Sequence, residues 1–199
     1  MKITFDPGEI DQFKSSIRAI PGYPSGEELL IRDMVFETGA IWRLPELLLK
    51  AGCKPDNRLY VVMDRTVMQR EGRDLKDLIL QILEDAGWQT QAIWLEPDQT
   101  GQVHTDFTHI DAVKSYLQAD SAVLSIGSGT VTDIAKHACH VFQQEHGTSP
   151  LPFVVYQTAN SVSAYTSNMA PTFVDGVKRT LPSRYPDVLI CDLETLRDA

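Results

Sequence analysis

The sequence predicts an α/β fold, with a parallel β-sheet covered by helices on both faces, and three observations carry that expectation. Short apolar runs without charge, such as Leu59–Met63 and Ala122–Ile126, read as strands buried on both sides. Between them, apolar residues return at helical spacing: Leu75, Leu78, Ile79, Ile82 and Leu83 share one helical face. The two kinds of segment alternate, as happens when each strand reaches a parallel neighbour through a crossover helix.

Residues 1–33 read as an N-terminal arm punctuated by Pro7, Gly8, Pro21, Gly22, Pro24 and Gly26, with one short helix over Asp11–Ile20. The regular pattern starts with Met34–Glu37 as a strand, Ile41–Ala51 as a helix and Leu59–Met63 as a strand. The helix that begins at Leu75 stops where Gly87 supplies a C-terminal cap. Gln91–Leu95 then reads as a strand, Ile110–Leu117 as a helix, Ala122–Ile126 as a strand, Val131–Gln144 as a helix and Phe153–Tyr156 as a strand. After Thr158 the pattern changes. Pro171–Val174 and Val177–Leu181 flank Asp175-Gly176, a hairpin signal, and Val188–Cys191 returns to a buried strand. Residues 34–199 are expected to form one unit, and the absence of a tapering polar tail suggests a chain cut before a second domain.

Composition excludes several functions. Eighteen basic and 27 acidic side chains give a formal charge of −9, which repels a nucleic-acid backbone and offers nothing to an anionic membrane surface. With no apolar run of membrane-span length and no signal peptide at the acidic N-terminus, a cytoplasmic location is expected. Cys53, Cys139 and Cys191 are odd in number and scattered, so they read as reduced, mostly buried thiols rather than a disulfide or zinc framework. His137, Cys139 and His140 suit zinc by ligand type, but three residues on one helix without a fourth partner read better as a packed or solvated face. Asp133 and Lys136 read as a helix-surface ion pair with a structural role, a cofactor-side polar contact being the alternative. Trp88 and Trp94 read as packing residues, and Lys178 and Arg179 fit either a substrate phosphate or solvent.

The segment Ala122–Lys136 carries the chemistry. A buried strand meets a turn bracketed by Gly127 and Gly129, and a helix starts near Thr130. Glycines let the backbone approach a ligand, and the helix start offers N–H groups and the positive end of a dipole, a combination that suits a diphosphate. The spacing lacks the third glycine of the Rossmann fingerprint and the Gly-Lys-Ser/Thr of a P-loop. Turn chemistry alone is the competing reading. Asp64 ends its strand, where a carboxylate can accept bonds from an adenosine ribose, or simply cap the following turn.

These residues resemble a known family. Glu37-Thr-Gly-Ala-Ile-Trp-Arg-Leu-Pro-Glu46, Val61-Val-Met-Asp-Arg65, the glycine turn, Pro152-Phe-Val-Val-Tyr-Gln-Thr-Ala-Asn-Ser161 with Thr166-Ser167 and Asp175-Gly176 behind it, and Pro186-Asp-Val-Leu-Ile-Cys-Asp-Leu193 are similar, in order, to the N-terminal half of the iron-containing alcohol dehydrogenase superfamily. The nearest resemblance is to its glycerol-1-phosphate dehydrogenases. It implies a Rossmann-like parallel sheet plus a β-hairpin, followed in the family by a helical C-terminal metal domain that this chain does not include. It implies hydride transfer between NAD or NADP and a polyol or polyol-phosphate, such as a glycerol-1-phosphate-like secondary alcohol and its ketone, with association into a homo-oligomer allowed. A divalent nickel, zinc or iron ion belongs to the absent domain, so no residue here inherits a metal or catalytic role and the fragment alone is expected to be inactive. The resemblance implies cofactor contacts for Gly127, Ser128, Gly129, Thr130, Val131, Thr158, Ser161 and Ser167, with Asp64 at the ribose in favour of NAD. It departs at Ser128 and Gln157, where the family carries Gly and Pro, and at Ser163, a substrate-side position where many members carry Asp. A glycerol or other polyol dehydrogenase, a lyase of the dehydroquinate synthase type and a non-catalytic nucleotide-binding module are the alternatives.

Overall fold

The computed structural model describes residues 6, 8–24, 28–160 and 162–198. Helix α1 (Ile10–Arg18) lays Ile10 and Phe13 against the core. Strand β1 (Asp33–Glu37) runs through a 3-10 turn, Ala40–Arg43, into α2 (Leu44–Lys50). The single helix expected over 41–51 is divided there, because Pro45 has no N–H to donate and fits the first turn of the second piece. β2 (Leu59–Asp64) follows, and then a two-residue-per-strand hairpin that the sequence pattern did not signal, β3 (Gln69–Arg70) and β4 (Arg73–Asp74). Its turn places Glu71 and Gly72 at φ 54° and 74°, the left-handed pair of a tight hairpin.

Helix α3 (Leu75–Asp85) starts on the Asp74 carboxylate, which accepts the N–H groups of Lys76 and Asp77. It ends as expected at Gly87: the Trp88 N–H donates to the Leu83 carbonyl and the Gly87 N–H to that of Glu84, both at 2.9 Å. β5 (Thr90–Leu95) precedes α4 (Phe107–Lys114). This helix begins three residues before the apolar period does, because the Asp106 carboxylate caps it by accepting the His109 N–H at 2.9 Å. The remaining elements are β6 (Ala122–Gly127), α5 (Gly129–His146), β7 (Phe153–Gln157), the hairpin β8 (Met169–Val174) and β9 (Val177–Pro182), β10 (Val188–Asp192) and α6 (Leu193–Asp198). Asp175 and Gly176 turn the hairpin at φ 51° and 77°, as their sequence predicts. Helix α6 has a single buried residue, Thr195, so no apolar period announced it.

Six strands form one parallel sheet in the order β1-β10-β7-β6-β2-β5. Alternate residues serve opposite faces: Tyr60, Val62 and Val123 meet α4 and α5, whereas Leu59, Val61, Met63, Leu124 and Ile126 meet α2 and α3. That two-sided burial is why the strands read as unbroken apolar runs. The chain passes from β2 outward to β5 and then back across β2 to β6. Neighbouring strands β2 and β6 therefore send their connections in opposite directions, and such a switch opens a crevice beyond their carboxyl ends. Asp64 and Gly127 are the last residues of those two strands.

Candidate functional site

A cavity of about 410 Å³ occupies the switch point, lined by Asp64, Arg65, Thr66, Pro97, Gly101, Gln102, Val103, Ser128 and Thr130. Its floor is the junction of β6 and α5. A Cβ on Gly127 would stand 2.7 Å from Val131 Cγ2 and 2.8 Å from Val131 Cβ, so only glycine lets the helix start directly off the strand. Ser128 is the N-cap in extended conformation, yet its side chain makes no capping bond. The first-turn N–H groups of α5 have no acceptor within the helix, and the dipole of its 18 residues ends here. Ser128 and Thr130 line the cavity, whereas the Val131 side chain lies in the core, which leaves only the backbone of Val131 for a ligand. Gly129 has a further constraint: a Cβ there would meet Val162 Cγ2 at 3.1 Å and Ala164 Cβ at 3.3 Å.

Beyond β7 the second half of the site begins. Gly127 is in register with Gln157, which puts Thr158 just past the end of the adjacent strand. Thr158 is 2% exposed, and among the described residues its hydroxyl has no bonding partner. Ser161 lies outside the described residues. Ser163 is exposed at the start of a 3-10 turn, Ala164–Thr166, and the half-buried Ser167 hydroxyl accepts the Met169 N–H at 3.0 Å.

Two buried residues hold this segment, and sequence reasoning missed what they do. The Tyr165 hydroxyl donates to the Gly127 carbonyl at 3.0 Å. Burial pushes its pKa up to about 12, so it stays a donor. The Lys136 ammonium, fully buried, donates to the Ala164 and Ser167 carbonyls at 3.0 and 3.1 Å and pairs with Asp133 at 2.8 Å. The Asp133–Lys136 pair is thus no surface feature, because the 164–167 turn and the β8–β9 hairpin cover that side of α5. Desolvation raises the Asp133 pKa against the pull of Lys136 and Lys178, and lowers that of Lys136. The spacing of Asp133 and Lys136 was visible in the sequence; the cover over them was not.

Asp64 does what a strand-end aspartate does in turns, and more. Its Oδ1 accepts the Thr66 N–H at 3.2 Å and the Lys76 ammonium at 2.8 Å, and its Oδ2 accepts the Thr66 hydroxyl at 3.0 Å. Lys76 is 2% exposed and also donates to the carbonyls of Asp64 and Thr66. Arg65 beside it pairs with Glu96 and lies over the Trp94 ring, 4.6 Å from its centroid. Trp88 is buried in the core, in line with its expected packing role.

The second face of α5 holds no metal cluster. Cys139 points into the core, while His137 and His140 stack on each other with centroids 5.8 Å apart. Among the described residues no three His, Cys, Asp or Glu side chains gather as a metal site. Cys53, Cys139 and Cys191 are free and buried, and burial pushes each thiol up to about 12. Lys178 and Arg179 are exposed on β9.

His137 has a pH consequence. It is 5% exposed, and burial first, then the charges of His140 and Lys136, lower its pKa from 6.5 to about 4. The unfolded chain takes up this proton near pH 6.5, whereas the folded chain refuses it until about pH 4. The contribution of the neutral ring is therefore complete above pH 6.5 and is lost progressively as pH falls to about 4, a change of about 3 kcal/mol. Urea denaturation across that range should show a shallower acid loss in His137→Gln than in the wild type. Parallel curves for the two would contradict the buried neutral ring.

Comparison with known proteins agrees with this geometry. The sequence model described as iron-containing alcohol dehydrogenase matches residues 35–199. A glycerol-1-phosphate dehydrogenase [NAD(P)+] of Bacillus subtilis is 30% identical over 147 residues, which is 73% of this chain and 34% of that protein. The Bacillus velezensis enzyme of the same name is 27% identical over 176 residues, 88% of this chain and 41% of its own length. The chain thus spans roughly two fifths or less of the relatives it matches. Among solved structures, an alcohol dehydrogenase from an archaeal halo-thermophile of a Red Sea brine pool shares the fold with a TM-score of 0.69 at 17% identity, over 88% of this chain and 48% of that one. A sulfoacetaldehyde reductase from Bifidobacterium kashiwanohense, solved in complex with NAD+, gives 0.63 at 17% identity, over 87% and 47%. The switch-point crevice, the glycine junction and the matched span lead to one conclusion: the chain belongs to the iron-containing alcohol dehydrogenase family.

Proposed function

We propose that this chain is the dinucleotide-binding part of an NAD(P)-dependent dehydrogenase that interconverts a glycerol-1-phosphate-like secondary alcohol and its ketone. The observation that carries the reading is the crevice at the β2/β6 switch point, closed on one side by the first turn of α5. The residues present fit a dinucleotide. The glycine junction brings the helix start to the end of the strand, Ser128 and Thr130 line the cavity, and the Thr158 hydroxyl is buried without a partner among the described residues. In this reading the N–H groups of residues 129–131 and the Ser128 and Thr130 hydroxyls hold the diphosphate. Thr158, Ser161 and Ser167 orient the nicotinamide half, and Ser163 faces the substrate. Bound nicotinamide supplies hydride acceptance or donation. The chain supplies orientation, and Lys136 and Tyr165 fix the segment that does it. The relatives' [NAD(P)+] names support the cofactor class and the glycerol-1-phosphate assignment.

Ser128→Asp tests the placement. An aspartate N-cap facing a helix dipole holds or raises stability, yet its charge opposes a diphosphate at the same position. Fluorescence titration should show NADH affinity falling by about tenfold or more, with an unchanged or higher melting temperature. Equal affinity in both proteins would place the cofactor elsewhere. Activity of the full-length protein on glycerol-1-phosphate against unphosphorylated polyols then decides the substrate.

A further inference from the structure

The rim of the crevice carries a charge arrangement that the cofactor reading does not require. Asp64 ends β2 with its carboxylate on the cavity wall, and Lys76, from the first turn of α3, sits behind it almost fully buried with its ammonium 2.8 Å from Oδ1. All three acceptors of that ammonium are local: the carboxylate and carbonyl of Asp64 and the carbonyl of Thr66. The neighbouring cation Arg65 is matched by Glu96. A hollow of about 280 Å³ beside the cavity is lined by the same Asp64, Arg65, Thr66 and Lys76 together with Asp74 and Asp77. Among the described residues that line this wall, Lys76 is therefore the one buried cation set against carboxylates.

We propose, resting on the dinucleotide reading above, that Lys76 is a specificity-determining residue that lets this site accept NADP as well as NAD. An unpaired strand-end carboxylate accepts the ribose hydroxyls and repels a 2′-phosphate. Here the paired ammonium cancels that charge while leaving a carboxylate lone pair on Oδ2 for the ribose, whose other bond is only to Thr66. Asp64 keeps its acceptor while the repulsion that its own charge would exert on a 2′-phosphate is offset. The sequence alone favoured NAD from Asp64, because Lys76 lies 12 residues further on and nothing local linked the two.

NADH and NADPH titrated against four proteins test this. The wild type should bind the two within about tenfold of each other. Asp64→Asn leaves Lys76 uncompensated and should shift the ratio about tenfold towards NADPH; Lys76→Met should shift it about tenfold towards NADH. The double variant, neutral like the wild-type pair, should return the ratio to near its original value. That reversal separates charge from mere structural damage. If Lys76→Met does not fold, Asp64→Asn and the double variant still decide. A ratio that stays fixed in Asp64→Asn, or a double variant that keeps the shift of either single one, overturns the proposal while both dinucleotides still bind. If the wild type binds neither, the dinucleotide reading itself fails and takes the proposal with it.

Discussion

Lys136→Met should destabilise the chain by about 3–5 kcal/mol, measured as a lower urea midpoint at unchanged slope. The magnitude follows from what the ammonium touches. Lys136 is fully buried, and Asp133, its ion partner, is 6% exposed. Methionine fills similar volume but leaves the buried Asp133 carboxylate without its ion partner and strands the Ala164 and Ser167 carbonyls. Asp133→Asn combined with Lys136→Met removes the buried charge but not the stranded carbonyls, so its loss should fall between wild type and the single variant. Binding should follow stability only in part: the 164–167 turn loosens, so nicotinamide-side affinity drops even where the protein remains folded. A loss below about 1 kcal/mol would be what an exposed pair gives, and would contradict the burial described.

The contrast between Lys136 and the glycine turn shows what the sequence makes legible. The turn is readable because strand apolarity, two glycines and a helical period collide within 15 consecutive residues, 122–136. The β8–β9 hairpin is readable for the same local reason, since Asp175-Gly176 specifies its turn. Lys136 acts on carbonyls 28 and 31 residues away, Tyr165 on one 38 residues away, and Lys76 on a carboxylate across the β3–β4 hairpin. Their chemistry depends on which segments the fold lays over them. The strand alternation implied a parallel sheet, but the switch point needed the return of the chain past β2, which no local pattern encodes. The early start of α4 and the short β3–β4 hairpin were hidden for a different reason. Each is set by one or two polar residues, Asp106 in the first and Glu71-Gly72 in the second, outside any apolar period.

Gly127→Ala should cost about 2–4 kcal/mol and abolish dinucleotide binding in the same protein. The added methyl group would sit 2.7 Å from Val131 Cγ2 and 2.8 Å from its Cβ. Val131 cannot give way: it is β-branched, with little χ1 freedom in a helix, and it is fully buried in the core between α5 and the sheet. The start of α5 must therefore move away from the end of β6, and the Gly127 carbonyl that receives the Tyr165 hydroxyl moves with it. Gly129→Ala is the internal comparison. Its methyl group would meet Val162 and Ala164 at 3.1 to 3.3 Å, contacts that a small shift of the 162–164 segment relieves, so its cost should be about 1 kcal/mol. A larger loss at 129 than at 127 in urea denaturation would show that the helix is not seated on the strand as described. The seating matters for function because the contact that excludes a methyl group at 127 also sets the distance between the strand end and the first N–H groups of α5. Stability and affinity should fall together at Gly127, whereas Ser128→Asp, which changes charge without moving the helix, should separate them.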